Sequence, residues 1–455
     1  MGMTVFFLYG ALLLALGIHD AIRARAAARG DGTISVADDY YVNGRRSGSA
    51  QVALSIVASC VGGSATIGMA GLAWEVGLPA IWWLGSGACG LALLVRFMAR
   101  KIRESGARTM PELVGIYLGS SARPLVSGII LLAWVAILAA QFSAMAAITA
   151  TLTGFSQERA MLTGAVLITG YALLGGQASV IRSDVAQYVL LAAGFVLTLA
   201  FLLVSRPEPF AAMKWEVLSP AFPPLTLLRY LLVLGGSYVV CPMLFGRLLS
   251  ARDSRAAAKG GGWAVAGLVL TALVIVLVGV GCRGLVPEGS SADQVLPALC
   301  GLLPPWLGLA LMLALLSAVL SSADSCLLTA ATVCCNDLAR RDNVAFCRAA
   351  ALLIGVAGFF LAREGQGVLA LLFMANDVYV CGVVRPVFIG IVGGPRSVRP
   401  GLACAAVLAG GGLGLCSALT GNVGWAYGGL IVSLLLSLAG LAGNTPMRKT
   451  AARGA

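Results

Sequence analysis

Residues 53–77 read ALSIVASCVGGSATIGMAGLAWEVG. The stretch is apolar and long enough to cross a bilayer, which takes about 20 such residues. Its middle does not suit a continuous helix. Ser59, Gly62, Gly63, Ser64 and Thr66 fall between Ala58 and Gly68. Each interior Gly weakens a helix by about 1 kcal/mol relative to Ala. The pattern predicts a helix broken at mid-depth. Backbone groups freed there need a partner, because lipid offers none. A bound cation is one such partner, and neighbouring helices or water are others.

The rest of the chain is of the same kind. Of its 455 residues, 59% are hydrophobic and 11% charged, against about 25% charged in soluble proteins. The composition predicts a single all-α integral membrane domain over 1–455. About thirteen apolar stretches meet the length for a span: 3–22, 49–76, 79–99, 124–150, 159–179, 183–205, 224–248, 261–283, 297–334, 345–362, 366–393, 400–419 and 423–442. The ninth is too long for one straight span and is expected to include an amphipathic lead-in. The first lacks a basic leader and a clear cleavage site, so it reads as a retained helix.

Basic residues fall in alternate loops. Arg45, Arg46, Arg100, Lys101, Arg103, Arg247, Arg252, Arg340, Arg396, Arg448, Lys449 and Arg453 belong to one set. That set holds roughly 24 of the 31 Lys and Arg. It predicts an outside N-terminus and a cytoplasmic C-terminus in a plasma membrane, the inner membrane if the cell is bacterial. The net charge of +12 is then a topology signal rather than a nucleic-acid footprint. The 12 Cys show no metal-binding spacing and there is one His, which argues against metal ligation by thiols or imidazoles.

A second interrupted segment is 231–253, LLVLGGSYVVCPMLFGRLLSARD. Gly235 and Gly236 are followed by Pro242, which cannot donate a backbone hydrogen bond. The two interrupted segments are second and seventh in order, five apart. Such pairing points to an inverted-repeat transporter with its site at the breaks. The repeats would be 49–205 and 224–393, with one extra helix before (3–22) and two after (400–442). Residues 313–335, LALLSAVLSSADSCLLTAATVCC, place Ser321, Ser322, Asp324 and Ser325 inside another span. A carboxylate at that depth costs a few kcal/mol or more and marks a functional site.

DYYVNGRRSG (39–48), ALSIVASCVGGSATIG (53–68), IRSDVAQ (181–187), FGRLLSARD (245–253) and SAVLSSADSCLL (317–328) resemble, in order and spacing, the sodium/solute symporter family. That family includes transporters for glucose, proline, pantothenate and sialic acid. The resemblance covers about residues 38–390 and implies a LeuT-type core of ten helices. It implies a main sodium site from the carbonyls of Ala58, Val61 and Ala318 and the hydroxyls of Ser321 and Ser322. Neutral oxygens of this kind suit a hard cation. It also implies a second cation site from Asp184, Asp324 and Ser325. Asp324 replaces a more neutral ligand there, and three roles stay open for it: ligating sodium, carrying a proton, or bonding across helices. Asp184, beside Arg182, has a competing reading as a helix N-terminal cap with a surface ion pair. Arg45 matches a residue linked to coupling, and an inside-facing anchor is the other reading. Cys60 stands where proline-type members carry an acidic residue, which speaks against proline itself.

Substrate residues are expected beside the breaks: Cys60, Gly63, Ser64, Thr66, Gln141, Tyr238, Phe245 and Asp377. Trp82 and Trp83 read instead as an interfacial aromatic belt. Asp377 has two readings, a pair with Arg385 or contact with a cationic solute. The expected activity is sodium-coupled symport of a small organic acid, amino acid or vitamin-like solute, by a protein working as a monomer. Proton-coupled symport and a transporter-like sensor are the alternatives. A channel would need a continuous polar stripe, and an enzyme a nucleophile–base pair, a metal cluster or a phosphate loop. None of these is visible in the sequence, so the chain does not read as an enzyme.

Overall fold

The computed structural model describes residues 2–30, 36–287, 289–341, 343–365 and 368–442. Arg448, Lys449 and Arg453 lie outside these. The described residues are helical, with isolated bridges but no strand. Among the described residues, ten helices are long and apolar enough to cross a membrane, or eleven when the bent pair Ser49–Cys60 and Ser64–Val76 counts as one span. The expected thirteen is not reached by length and composition. Met3–His19 is a shorter apolar helix, and the stretch expected at 159–179 belongs to a helix running Gln157–Ser205.

The first break is where the sequence puts it. The two halves meet at 68°, and Val61 leaves the helix with φ −99° and ψ 68°. Gly62 is required by close approach: a Cβ there would lie 2.5 Å from Ser322 Oγ and 2.9 Å from Gln141 Oε1.

The second break is displaced from its expected position. Gly236 keeps helical angles of −55° and −42°. The chain extends instead at Val240 (φ −131°, ψ 85°) and Cys241 (φ −118°, ψ 117°), directly before Pro242. The clash between a proline ring and the residue before it drives that residue to extended angles. Gly235 serves packing: a Cβ on it would lie 2.8 Å from the Ser86 carbonyl.

Two other boundaries shift. The 157–205 helix turns at Gly176 (φ 63°, ψ −171°), not between 179 and 183. Asp184 is therefore two turns inside a helix rather than at its N-terminus. The ninth span divides at Leu303–Pro304 into a lead-in, Val295–Leu302, and Pro305–Leu338. Pro305–Leu338 is the innermost helix, 78% buried against 28% for Gly176–Ser205 and Val344–Arg363. The span carrying Ser321, Ser322 and Asp324 is thus the most deeply buried of the described spans.

The basic loops gather at one end of the bundle. Arg45 donates to the Gly106 and Ala107 carbonyls at 2.6 and 3.1 Å. Lys101 donates to the Ile391 carbonyl at 2.9 Å, and Arg103 to the Ala251 carbonyl. The Arg252 amide donates to the Ser47 carbonyl at 2.9 Å. Arg247, counted with these loop residues from sequence, is an exception. Its side chain is 1% exposed and lies inside the bundle.

Candidate cation and solute site

The Ser49–Cys60 helix ends inside the bundle, where its last carbonyls have no intrahelical donor. Hydroxyls from two other helices serve them in register. Ser321 Oγ donates to the Ala58 carbonyl, Ser322 Oγ to the Ser59 carbonyl, both at 3.0 Å, and Tyr238 OH to the Cys60 carbonyl at 3.4 Å. Ser321 Oγ also lies 3.0 Å from the Ala318 carbonyl. The structure thus brings Ala58, Ala318, Ser321 and Ser322 together, with Val61 at the adjoining turn. A hydroxyl that turns its proton away can offer the same oxygen to a cation. This cluster of neutral oxygens can therefore exchange internal hydrogen bonds for ion ligation.

A charged cluster adjoins it. Arg247 Nη2 lies 3.1 Å from Asp184 Oδ2 and donates to Ser325 Oγ. Its Nε donates to Ser55 Oγ at 3.2 Å, and Ser55 donates to Asp184 Oδ2. Ser325 Oγ donates to Asp324 Oδ1 at 3.2 Å and lies 3.3 Å from Ser59 Oγ. Asp184 and Asp324 are fully buried. Asp184 Oδ1 and Asp324 Oδ2 have no hydrogen-bond partner. The surface ion pair with Arg182 expected for Asp184 is replaced by a buried one with Arg247. Nothing in the periodicity of FGRLLSARD separates Arg247 from the loop arginine beside it. Only its apolar surroundings in sequence could have flagged it.

A cavity of about 100 Å³ opens on the other side of the break. Cys60, Ser64, Gln141, Tyr238 and Ser322 line it, together with Trp83, Trp134, Ser237 and Asn376. Gln141 Oε1 accepts from the Gly63 amide at 3.0 Å, which fixes the side chain at the break. Trp83 is buried and part of the lining, not of an interfacial belt. The Trp134 indole N–H, unremarked in the sequence, has no partner.

Gly63 is not in the lining, where Gly62 stands, and touches it only through its amide bond to Gln141; four other expected residues lie elsewhere. Thr66 turns its hydroxyl onto the Gly62 carbonyl at 2.9 Å. Phe245 is fully buried and does not line the cavity, whereas its neighbours Met243 and Leu244 do. Asp377 accepts from Ser417 at 3.0 Å and faces Arg229 at 3.9 Å, while Arg385 donates to the Val380 carbonyl at 2.8 Å. Arg45 belongs to the basic end, away from the cavity.

A wider cavity of about 710 Å³ involves Gln157, Glu158, Asp293 and Arg363 and reaches Ile67 at the break. Burial raises the Asp293 carboxyl above its ordinary range, and a backbone hydrogen bond from Val368 opposes the shift.

The sodium/pantothenate symporter of Haemophilus influenzae is 24% identical over 66% of this chain and 66% of its own length. High-affinity choline transporter 1 of Torpedo marmorata is 24% identical over 86% and 72%. The sodium/proline symporter of Haemophilus influenzae is 29% identical over 64% and 63%. The match thus spans just under two thirds of the pantothenate and proline symporters. Among solved structures, a substrate-bound, outward-open sodium-coupled sialic acid symporter superposes with a TM-score of 0.79 at 15% identity, over 98% of both chains. MhsT in complex with L-phenylalanine superposes at 0.55 and 16% identity, over 86% of this chain and 97% of its own. The fold is LeuT-type. The model of the sodium:solute symporter family matches residues 40–341, well over half the sequence, and the chain belongs to that family.

Proposed function

We propose that this protein is a secondary active transporter that moves a small organic solute into the cell together with sodium, by alternating access. The main sodium is held by the carbonyls of Ala58, Val61 and Ala318 and the hydroxyls of Ser321 and Ser322. The observation that carries the reading is the position of Ser322. Its hydroxyl caps the broken helix at Ser59, and the same residue lines the solute cavity. An ion ligated there would fix the wall that the solute touches. Each would then bind better in the presence of the other, which is the linkage that coupling needs. The basic end is read as cytoplasmic.

The cavity lining favours a compact solute. Its volume of about 100 Å³ is smaller than the ~150 Å³ hole that accepts benzene. Three aromatic side chains, Trp83, Trp134 and Tyr238, stand beside neutral polar groups, and no charged side chain is in the lining. Aromatic faces attract ammonium groups, and the free Trp134 N–H suits one hydroxyl or carboxylate on the solute. The cavity would have to widen even for choline, which is larger than benzene, and far more for pantothenate or sialic acid, while its aromatic faces suit an ammonium group. The likeness to choline transporters of Torpedo marmorata and Caenorhabditis elegans supports the same class. The test is uptake by purified, reconstituted protein of choline, betaine, proline and pantothenate, with and without sodium. Sodium-stimulated uptake of an ammonium compound is expected. Sodium-stimulated uptake of pantothenate alone would refute the solute class.

A further inference from the structure

We infer that Tyr9, on the peripheral first helix, is a positioning residue for the ion site: its hydroxyl holds Ser317, and through it the turn Ala318–Ser321 that faces the broken helix. The inference rests on the sodium-symport reading above and adds the first helix to the parts that set sodium affinity.

The first helix, Gly2–Gly30, lies at the edge of the bundle. One stripe of it is buried, through Phe6, Gly10, Leu13 and Gly17. Phe7, Leu8, Leu12 and Leu16 on its other faces are exposed, as suits contact with lipid. Gly10 seats the stripe closely on the helix Gln157–Ser205: a Cβ there would lie 2.9 Å from Leu167 Cδ1. A helix docked this way needs no polar group on its inner side, yet Tyr9 carries a hydroxyl inward. Its oxygen lies 2.8 Å from Ser317 Oγ, and Ser317 is fully buried on the innermost helix, Pro305–Leu338. A hydroxyl removed from water costs free energy unless it is hydrogen-bonded, and these two satisfy each other. Gln187, 2% exposed and with neither end of its amide hydrogen-bonded, stands next to the same Tyr9 hydroxyl.

The place of this bond gives it a role. Ser317 directly precedes Ala318 and lies one turn before Ser321. Ser321 Oγ bonds both the Ala318 and the Ala58 carbonyls at 3.0 Å. Residues four apart share a helix face, so Tyr9, Ser317 and Ser321 form a column that ends at the broken helix. A serine inside a helix otherwise turns its hydroxyl back onto the carbonyl one turn earlier, which bends the helix. Ser59 does this, donating to the Ser55 carbonyl at 2.8 Å. For Ser317 that carbonyl would be the one of Leu313, and the bond to Tyr9 holds the hydroxyl away from it. A binding constellation keeps its geometry to about 0.5 Å only when the groups behind it are locked by packing and hydrogen bonds. Tyr9 locks the turn from which Ala318 and Ser321 reach toward Ala58.

The test measures sodium affinity and stability separately, on purified full-length protein. Tyr9→Phe keeps the ring and removes the hydroxyl, and Ser317→Ala removes the other partner. Each should raise the sodium concentration for half-maximal thermal stabilisation about fivefold, the worth of one hydrogen bond. The double variant should show the same rise rather than the product, because both changes break one interaction. The uptake rate at saturating sodium should stay at the wild-type level. If Ser317→Ala does not fold, Tyr9→Phe decides. A bond that merely fastens the first helix would lower the sodium-free melting temperature and leave the sodium concentration unchanged. That result, or losses that multiply in the double variant, overturns the inference and leaves sodium symport standing. Unchanged sodium affinity in Ser321→Ala/Ser322→Ala overturns the ion site itself, and the inference with it.

Discussion

Replacing Asp324 by Asn removes one buried charge and keeps the side chain's shape. The Asn carbonyl can still accept from Ser325, so the helix packing around this fully buried position is retained. Sodium binding loses an attraction. Hydrogen bonds of 3.2 and 3.3 Å join Asp324 through Ser325 to Ser59, whose carbonyl receives the Ser322 hydroxyl. Taking roughly 7 Å between the carboxylate and the ion, and an effective dielectric of about 20, the attraction is about 2 kcal/mol. That corresponds to a loss of roughly thirtyfold in apparent sodium affinity. The variant leaves Asp184 and Arg247 as a neutral pair, so it should also lose competition between protons and sodium. The assay is sodium-dependent thermal stabilisation of purified wild-type and Asn proteins at mildly acidic and neutral pH. An Asn variant with wild-type sodium affinity and pH profile would mean that Asp324 only bonds across helices.

Further predictions concern the same site. Ser321→Ala with Ser322→Ala removes two ligands at nearly constant volume. It should weaken sodium activation by at least about tenfold per hydroxyl, read as the sodium concentration for half-maximal uptake. An unchanged value would remove both serines from the ion site. Gly62→Ala puts a methyl 2.5 Å from Ser322 Oγ. Such overpacking costs about 1–3 kcal/mol and should lower both thermal stability and sodium affinity, and a variant indistinguishable from wild type in both would contradict the close approach. A cytoplasm-only reporter inserted near Ser254, at the basic end, should be active, and silence in a well-expressed fusion would reverse the orientation.

What could be read from sequence differs from site to site for physical reasons. The break at Val61–Gly63 was legible because two adjacent glycines and three hydroxyls interrupt an otherwise apolar run. The second break was misplaced. Gly235 and Gly236 look like the weak point in sequence, yet they remain helical, Gly235 packing closely against Ser86 and Gly236 against Val380, while Pro242 sets the extended turn before it. In sequence Arg247 reads as an end anchor, because Arg252 follows closely. Its burial depends on Asp184, 63 residues away, and no local pattern announces that pair. For Asp377 the sequence leaves two readings, a pair with Arg385 and contact with a cationic solute. Its partner Ser417 comes from the Pro400–Thr420 helix, whose position against this span is a tertiary fact. Trp134 passed unnoticed among apolar neighbours, since only the folded bundle turns it into the lining of the cavity.

The central claim is that the sodium gradient drives solute uptake through the Ser321/Ser322 site. It is tested most directly in proteoliposomes at fixed pH and zero membrane potential, with choline as the first solute and the other panel members after it. Concentrative uptake that appears with an inward sodium gradient and reverses when the gradient is reversed is the predicted result. Uptake that follows an imposed proton gradient and ignores sodium would contradict it.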